Sequence, residues 1–196
     1  MVQRDDMAAA GQPLYTPEQR ARRDASRWTL VQGVLAPAQL LVCIVSAVLV
    51  VRFLMTGEGY GAATASVLIK TGFLYLIMVT GAIWEKEVFG QYLFAPAFFW
   101  EDFVSFGVIA LHTIYVVALL AGSMDAQGLM WLALLAYAVY VVNAAQFIWK
   151  LRMARLSAAA EGARLSAAAE GARLSAAAAD ARLPDQPARA GMEVSA

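Results

Sequence analysis

Read for its apolar and polar positions, the chain falls into a polar, arginine-rich opening, four long apolar runs and an alanine-rich tail. The runs lie at 30–53, 63–84, 103–121 and 129–149, each near the ~20 residues that cross a bilayer. This predicts an all-α integral membrane protein, a four-transmembrane-helix bundle. The connections at 57–61 and 123–128 contain glycine and carry neither lysine nor arginine. Basic residues collect instead in the opening, at Lys86 in the second connection, and after Trp149 as Lys150, Arg152 and Arg155. The positive-inside rule then places both termini and the second connection on the cytoplasmic side of an inner membrane. The first run follows a long basic segment without a small-residue cleavage site, so it is expected to stay as an anchor.

The second connection, 85–102, breaks the pattern. It is too apolar for a solvated loop and too charged and short for a fifth span, which predicts an interfacial helix or a re-entrant segment. Before the first span, residues 1–13 read as disordered. Thr16-Pro17-Glu18-Gln19 reads as a helix start with Thr16 as N-cap and Gln19 closing a capping box. The domain plan is therefore 1–28 as a cytoplasmic segment with a short basic helix from about 16, 29–151 as the membrane domain, and 152–196 as a tail. The tail repeats Ala-Arg-Leu-Ser-Ala-Ala-Ala-Glu-Gly from Ala154 and Ala163, with a degenerate copy from Ala172. A nine-residue step turns a helix by about half a revolution, so Leu156, Leu165, Leu174 and Leu183 alternate faces and build no coiled-coil seam. Gly162 and Gly171 are expected to interrupt helix there.

Composition narrows the chemistry. Hydrophobic residues make up 61% of the 196, against roughly 45–50% in soluble domains. Charge sums to zero, so nothing recommends nucleic acid as a partner. A single cysteine, Cys43, excludes a disulfide framework and a cysteine-built metal cluster, and a single histidine, His112, excludes bis-histidine haem ligation within one chain.

Polar side chains at membrane depth are costly, so each calls for a packing or functional reason. At about 100° per residue they form stripes: Gln32, Gln39, Cys43 and Ser46; Thr71, Tyr75, Met78 and Glu85; Glu101, Ser105, His112 and Tyr115; Tyr140, Asn143, Gln146 and Lys150. Turned inward, the stripes make a polar interior open toward the cytoplasm. Interhelical hydrogen bonding is the plain explanation for Gln32, Gln39, Asn143 and Gln146, and snorkelling to the far headgroups is the plain one for Arg52 and Lys70. Glu101 and Asp102 are adjacent, so one should face inward and the other the headgroups. Glu101 shares the His112 face and Glu85 approaches from the second span. Two carboxyl groups from different helices can divide acid and base roles.

The strings Arg27-Trp28-Thr29-Leu30-Val31-Gln32-Gly33, Ile83-Trp84-Glu85-Lys86, Phe94-Ala95-Pro96-Ala97-Phe98-Phe99-Trp100-Glu101-Asp102, Ala110-Leu111-His112-Thr113 and Asn143-Ala144-Ala145-Gln146-Phe147 closely resemble the vinyl (bacterio)chlorophyllide hydratases of phototrophic bacteria. The likeness spans about residues 14–155. It implies addition of water to the 3-vinyl group of chlorophyllide a, giving a 3-(1-hydroxyethyl) group, by a hydro-lyase of bacteriochlorophyll biosynthesis that needs no cofactor. It also implies a bacterial intracytoplasmic membrane, with lipid, water and a magnesium chlorin as partners. A second copy of the chain or a complex of pigment-making enzymes is left open.

Hydration through a protonated vinyl group needs a general acid, a group that orients water, and a flat apolar cleft. Glu101 is the expected acid and Glu85 the expected base, with His112 orienting water or ligating the substrate's magnesium and Asp102 a lesser candidate. Trp84, Phe98, Phe99 and Trp100 would wall the ring, and Tyr115, Asn143 and Gln146 are the further substrate-binding candidates from the inward stripes. The competing reading is a non-catalytic chlorin-binding or photosystem-assembly protein.

Overall fold

The computed structural model describes residues 14–180. They form α1 (Pro17–Ala25), α2 (Arg27–Thr56), α3 (Tyr60–Phe89), α4 (Phe99–Ala121) and α5 (Ala126–Asp180). No strand occurs among the described residues. Four of these helices are long and apolar enough to cross a membrane, so the chain is an all-α membrane bundle. The expectations for residues 1–13 and for Leu183 lie outside the described residues.

Local sequence accounts for each boundary. Thr16 accepts from the Gln19 amide and the Gln19 side chain accepts from the Thr16 amide, closing the capping box on α1. Ser26 caps α2 by accepting from Trp28 N and donates to Glu87 on α3. The turn between α2 and α3 needs two left-handed residues, supplied by Gly57 and Gly59. Pro37 lies inside α2 without ending it.

The long helices bury most of their polar stripes and expose their apolar sides; Tyr75, expected to face inward, is instead 39% exposed, where its hydroxyl bonds Thr113 on α4. Leu41, Val48, Val79, Val117 and Leu135 are more than half exposed, whereas Gln39, Ser46, Thr71, Ser105 and Asn143 are buried. That is the arrangement of a bundle whose solvent is lipid. At 30 residues, α3 is about 45 Å long at 1.5 Å per residue. It therefore extends past a hydrocarbon core of ~30 Å, and its last turns belong at headgroup level.

Two expectations change here. The second connection contains no interfacial helix: α3 continues through Glu85 to Phe89, and residues 90–98 form a tight non-helical connector. The apolar Val88 and Phe89 continue the α3 packing face, and the left-handed Gly90 then stops the helix. The glycines of the tail do not interrupt helix either, since α5 runs through Gly162 and Gly171. Each glycine costs about 1 kcal/mol, and the alanines around them carry the segment. The chain divides into two compact units, Met1–Arg152 and Met153–Ala196. In the second, the described helix is largely exposed, with Leu156, Leu165 and Leu174 all more than half accessible.

Candidate active site

The end of the bundle that holds α1, the connector and Lys150 is built on carboxylates and aromatic rings. The last turns of α3 present Glu85, and the first turn of α4 presents Glu101 and Asp102. All three are buried. The expectation that one of the two adjacent acids faces headgroups is therefore corrected. The start of α4 is enclosed on two sides, by Lys150 of α5 and by Glu85 with the connector, so residues 100° apart both find cover.

Glu101 Oε2 accepts from Lys150 Nζ at 2.5 Å. Glu85 does not pair with it. Its neighbour is Asp102, and the two carboxyl groups face each other within hydrogen-bonding reach. The connector lies across this pair. Phe94 N donates to Asp102 Oδ2 at 2.7 Å, and Ala95 N donates to Glu85 Oε2 at 3.2 Å. Aiming two successive amides at two acids requires a left-handed residue, and Phe94 takes that conformation with φ of 57°. Such a residue costs of order 1–3 kcal/mol, which two amide hydrogen bonds to the carboxyl pair, about 0.5–1.5 kcal/mol each and more to whichever acid is ionised, can offset. The site stores backbone strain in the segment that covers its acids.

The aromatic residues split into two groups. Trp84 and Phe98 pack inward with Tyr15, Phe89 and Phe147, and Phe98 meets Trp84, Phe89 and Phe147 with ring centroids 5.7–5.9 Å apart. Trp84 Nε1 donates to Thr29 on α2. These rings fix α1 and the α3 end to the bundle rather than offering an open wall. Phe99 and Trp100 face outward, 44% and 67% exposed. Phe94 stacks on Phe106 with centroids 5.3 Å apart and leans on Phe99 at 5.6 Å. The outer face above the acids is therefore a cluster of partly exposed rings, Phe99 tilted to Phe94 and edge-on to Trp100.

His112, expected beside the carboxylates, belongs elsewhere. Eleven residues along α4 from Glu101 is about 16 Å, and the imidazole is fully buried against Tyr137. Its Nδ1 donates to Val108 O. With no exposed surface the ring is out of reach of a macrocycle, so a role as ligand to the substrate's magnesium does not fit. Tyr115 is buried one turn further on. Asn143 links α5 to α4 by donating to Ser105 Oγ at 2.8 Å, and Gln146 lies between Asn143 and Lys150 on the inner side.

Lys70 corrects another expectation. It does not snorkel. Its side chain is fully buried and its ammonium lies 3.8 Å from the Tyr140 ring centroid. Residue 70 is ten positions into α3, about 15 Å from its start, which is too deep for a lysine to reach headgroups. That depth was readable from the sequence. Lys150 as partner of Glu101 was also missed, although both stood on inward stripes. An open apolar groove of about 560 Å³, lined by Ala110, Thr113, Ile114, Val117 and Met124, lies toward the opposite end of α4 from the acids.

Residues 15–153 match the family model described as 2-vinyl bacteriochlorophyllide hydratase. The chain is 71% identical over 148 residues to the 2-vinyl bacteriochlorophyllide hydratase of Rhodobacter capsulatus, covering 76% of this chain and 86% of that protein. It is 70% identical over 154 residues to the protein of the same name in Cereibacter sphaeroides, covering 78% and 95%. No solved structure matches. With the matched region taking in all four spans and every acid of the site, the chain belongs to the 2-vinyl bacteriochlorophyllide hydratase family.

Proposed function

We propose that this hydratase adds water across the vinyl substituent of a bacteriochlorophyll precursor, using the Glu85–Asp102 carboxyl pair to move the proton. The observation that carries the assignment is the pair itself. Two acids from different helices face each other beneath a strained connector whose outer surface is aromatic.

The chemistry follows from that geometry. Two facing carboxyl groups are favoured when one proton lies between them, since two bare anions at that distance repel. The shared proton passes to the terminal vinyl carbon as the π bond breaks and a C–H bond forms. The positive charge then sits on the inner carbon, next to the macrocycle that delocalises it. The carboxylate left behind accepts a proton from the incoming water as the C–O bond forms. The net change is addition of one water, with the acid pair restored. No electrons leave or enter, so the step calls for no redox cofactor.

Glu101 is a poorer donor than the sequence suggests because Lys150 holds it as an ion pair. Its part is to keep Lys150 and the start of α4 in place, with its negative charge close to the developing cation. The exposed rings of Phe94, Phe99 and Trp100 offer a faceted apolar surface to a chlorophyllide-type ring arriving from the lipid. With basic residues gathered at this end, the site opens to the cytoplasmic side of a bacterial intracytoplasmic membrane, with both termini on that side.

Membranes containing the protein, given chlorophyllide a in heavy-oxygen water, should form a product one water heavier that carries the label. Pigment that copurifies unchanged would sink the catalytic reading and leave a chlorin-binding protein. Loss of the product in Glu85→Gln, with pigment still retained, assigns the proton transfer to the pair.

A further inference from the structure

Away from the carboxyl pair, the interior of the bundle holds polar atoms without protein partners. Gln39 Oε1, Lys70 Nζ, His112 Nε2, Asn143 Oδ1 and Gln146 Oε1 are all buried and unbonded among the described residues. Lys70 and His112 are fully buried, and Gln39 is 1% exposed. A buried polar atom left unpaired costs about 1–3 kcal/mol, more when charged. Native structures seldom carry several in one place without a bound partner.

They form a connected series. Gln146 lies one turn inward from Lys150 on α5, followed by Asn143 and then Tyr140, whose ring carries the Lys70 ammonium. Lys70 lies within Coulombic reach of both Cys43 and His112, and Gln39 is one turn from Cys43 on α2. The outer end of the series reaches the site through Asn143, Ser105 and the Glu101 carbonyl.

The donor and acceptor balance identifies the occupant. Lys70 brings donors only. Gln39, Asn143 and Gln146 bring bare carbonyl oxygens. His112 spends its Nδ1 proton on Val108 O, which leaves Nε2 of the neutral ring as an acceptor. A metal cation would meet the Lys70 charge, and an anion would meet a set of carbonyl oxygens. Water donates and accepts, and alone satisfies every member.

We infer that the bundle interior is a water-holding path from the Lys70–His112–Gln39 cluster to the Glu101–Lys150 end, and that it supplies the water consumed at the carboxyl pair. The supply role rests on the hydration reading above. The path itself does not. A reaction that consumes water beneath an aromatic, lipid-facing cover needs a source on its protein side, and this is the polar connection that reaches it.

Hydroxyl-radical footprinting of the whole protein in nanodiscs tests the path without pigment. Radicals formed from bound water label adjacent side chains whatever their surface exposure. The expected result is modification of His112 and Tyr140 at rates comparable to Tyr92, which is 60% exposed. Labelling of Tyr92 with those two silent would overturn the path and leave the hydratase reading intact. The supply role is tested by Lys70→Met. It should lower kcat about tenfold, the scale of a lost hydrogen bond to a charged group, with KM for the pigment and the melting temperature held. A dry core would instead gain stability from that substitution and keep its kcat, which would overturn the supply role. If the unmodified protein fails to hydrate pigment, the proposed function falls and the footprint still decides the path.

Discussion

Two polar layers of one bundle obey opposite rules. At the end bearing the connector, each of the three acids has a named partner: Lys150 on Glu101, the Phe94 amide on Asp102 and the Ala95 amide on Glu85. In the middle, Lys70, His112 and Gln39 are at least as deeply buried, yet each has a polar atom with no protein partner. The first layer is closed by protein. The second has capacity left over, and the difference separates a site that positions acids from an interior that holds a mobile ligand. Closure in the first layer depends on a connector able to bend its backbone amides toward acids. Regular helix offers none in the second, because its amides are already used within the helix.

The sharpest way to break this comparison is to neutralise the closed layer without opening it. Glu85→Gln and Asp102→Asn both keep an oxygen for the connector amide while removing the transferable proton. Each should lower kcat by about 10²–10⁴, the range for loss of general acid–base catalysis, with pigment retention unchanged in a spin-column assay. The parent rate in both variants would remove the pair from the mechanism. His112→Phe probes the other layer in the same assay, and pigment retention should again be unchanged because the imidazole is sealed inside the bundle.

The ion pair comes next in size. Lys150→Met leaves Glu101 buried without its counter-charge. The full penalty for a broken buried pair is about 3–5 kcal/mol, reduced here because the Lys150 side chain is 25% exposed. A loss of roughly 2 kcal/mol is expected on that account, read as a lower denaturation midpoint. The double variant with Glu101→Gln should recover most of it, since no isolated charge remains. If the double variant is no more stable than the single one, the pair does not hold α4 in place.

Smaller effects sharpen the picture at the cover. Phe94→Ala removes the ring stacked on Phe106 and leaves the left-handed backbone. Losing one aromatic pair of about 0.5–1.5 kcal/mol should raise KM for the pigment several-fold and move kcat little. The smallest effect belongs to the α1 cap, where Thr16→Ala should cost about 1 kcal/mol. It would show as faster amide exchange in α1 with turnover unaffected.

The spans, most of their polar stripes and the start of α1 were legible from residue order alone, because hydropathy and capping act over a few neighbouring positions. The stripe of Glu101, Ser105, His112 and Tyr115 is wholly buried. Its members nevertheless serve different layers, since a helical face says which way a side chain points and nothing of what it meets along the axis. The identity of the acid pair was not legible. Asp102 joins Glu85 only because residues 90–98 fold back over both, and that turn depends on Phe94 adopting a conformation its type disfavours.

Sequence by itself therefore determined a four-span bundle with a polar interior, an acidic and aromatic connector, and the family these strings mark. Only tertiary structure decided which carboxyls face each other, that Lys150 neutralises Glu101, and that Lys70 stays inside. Hydrophobic periodicity is local and survives any packing of the helices. Pairing between side chains dozens of residues apart is set by how the four helices and one strained connector meet, and no short stretch of chain carries that information.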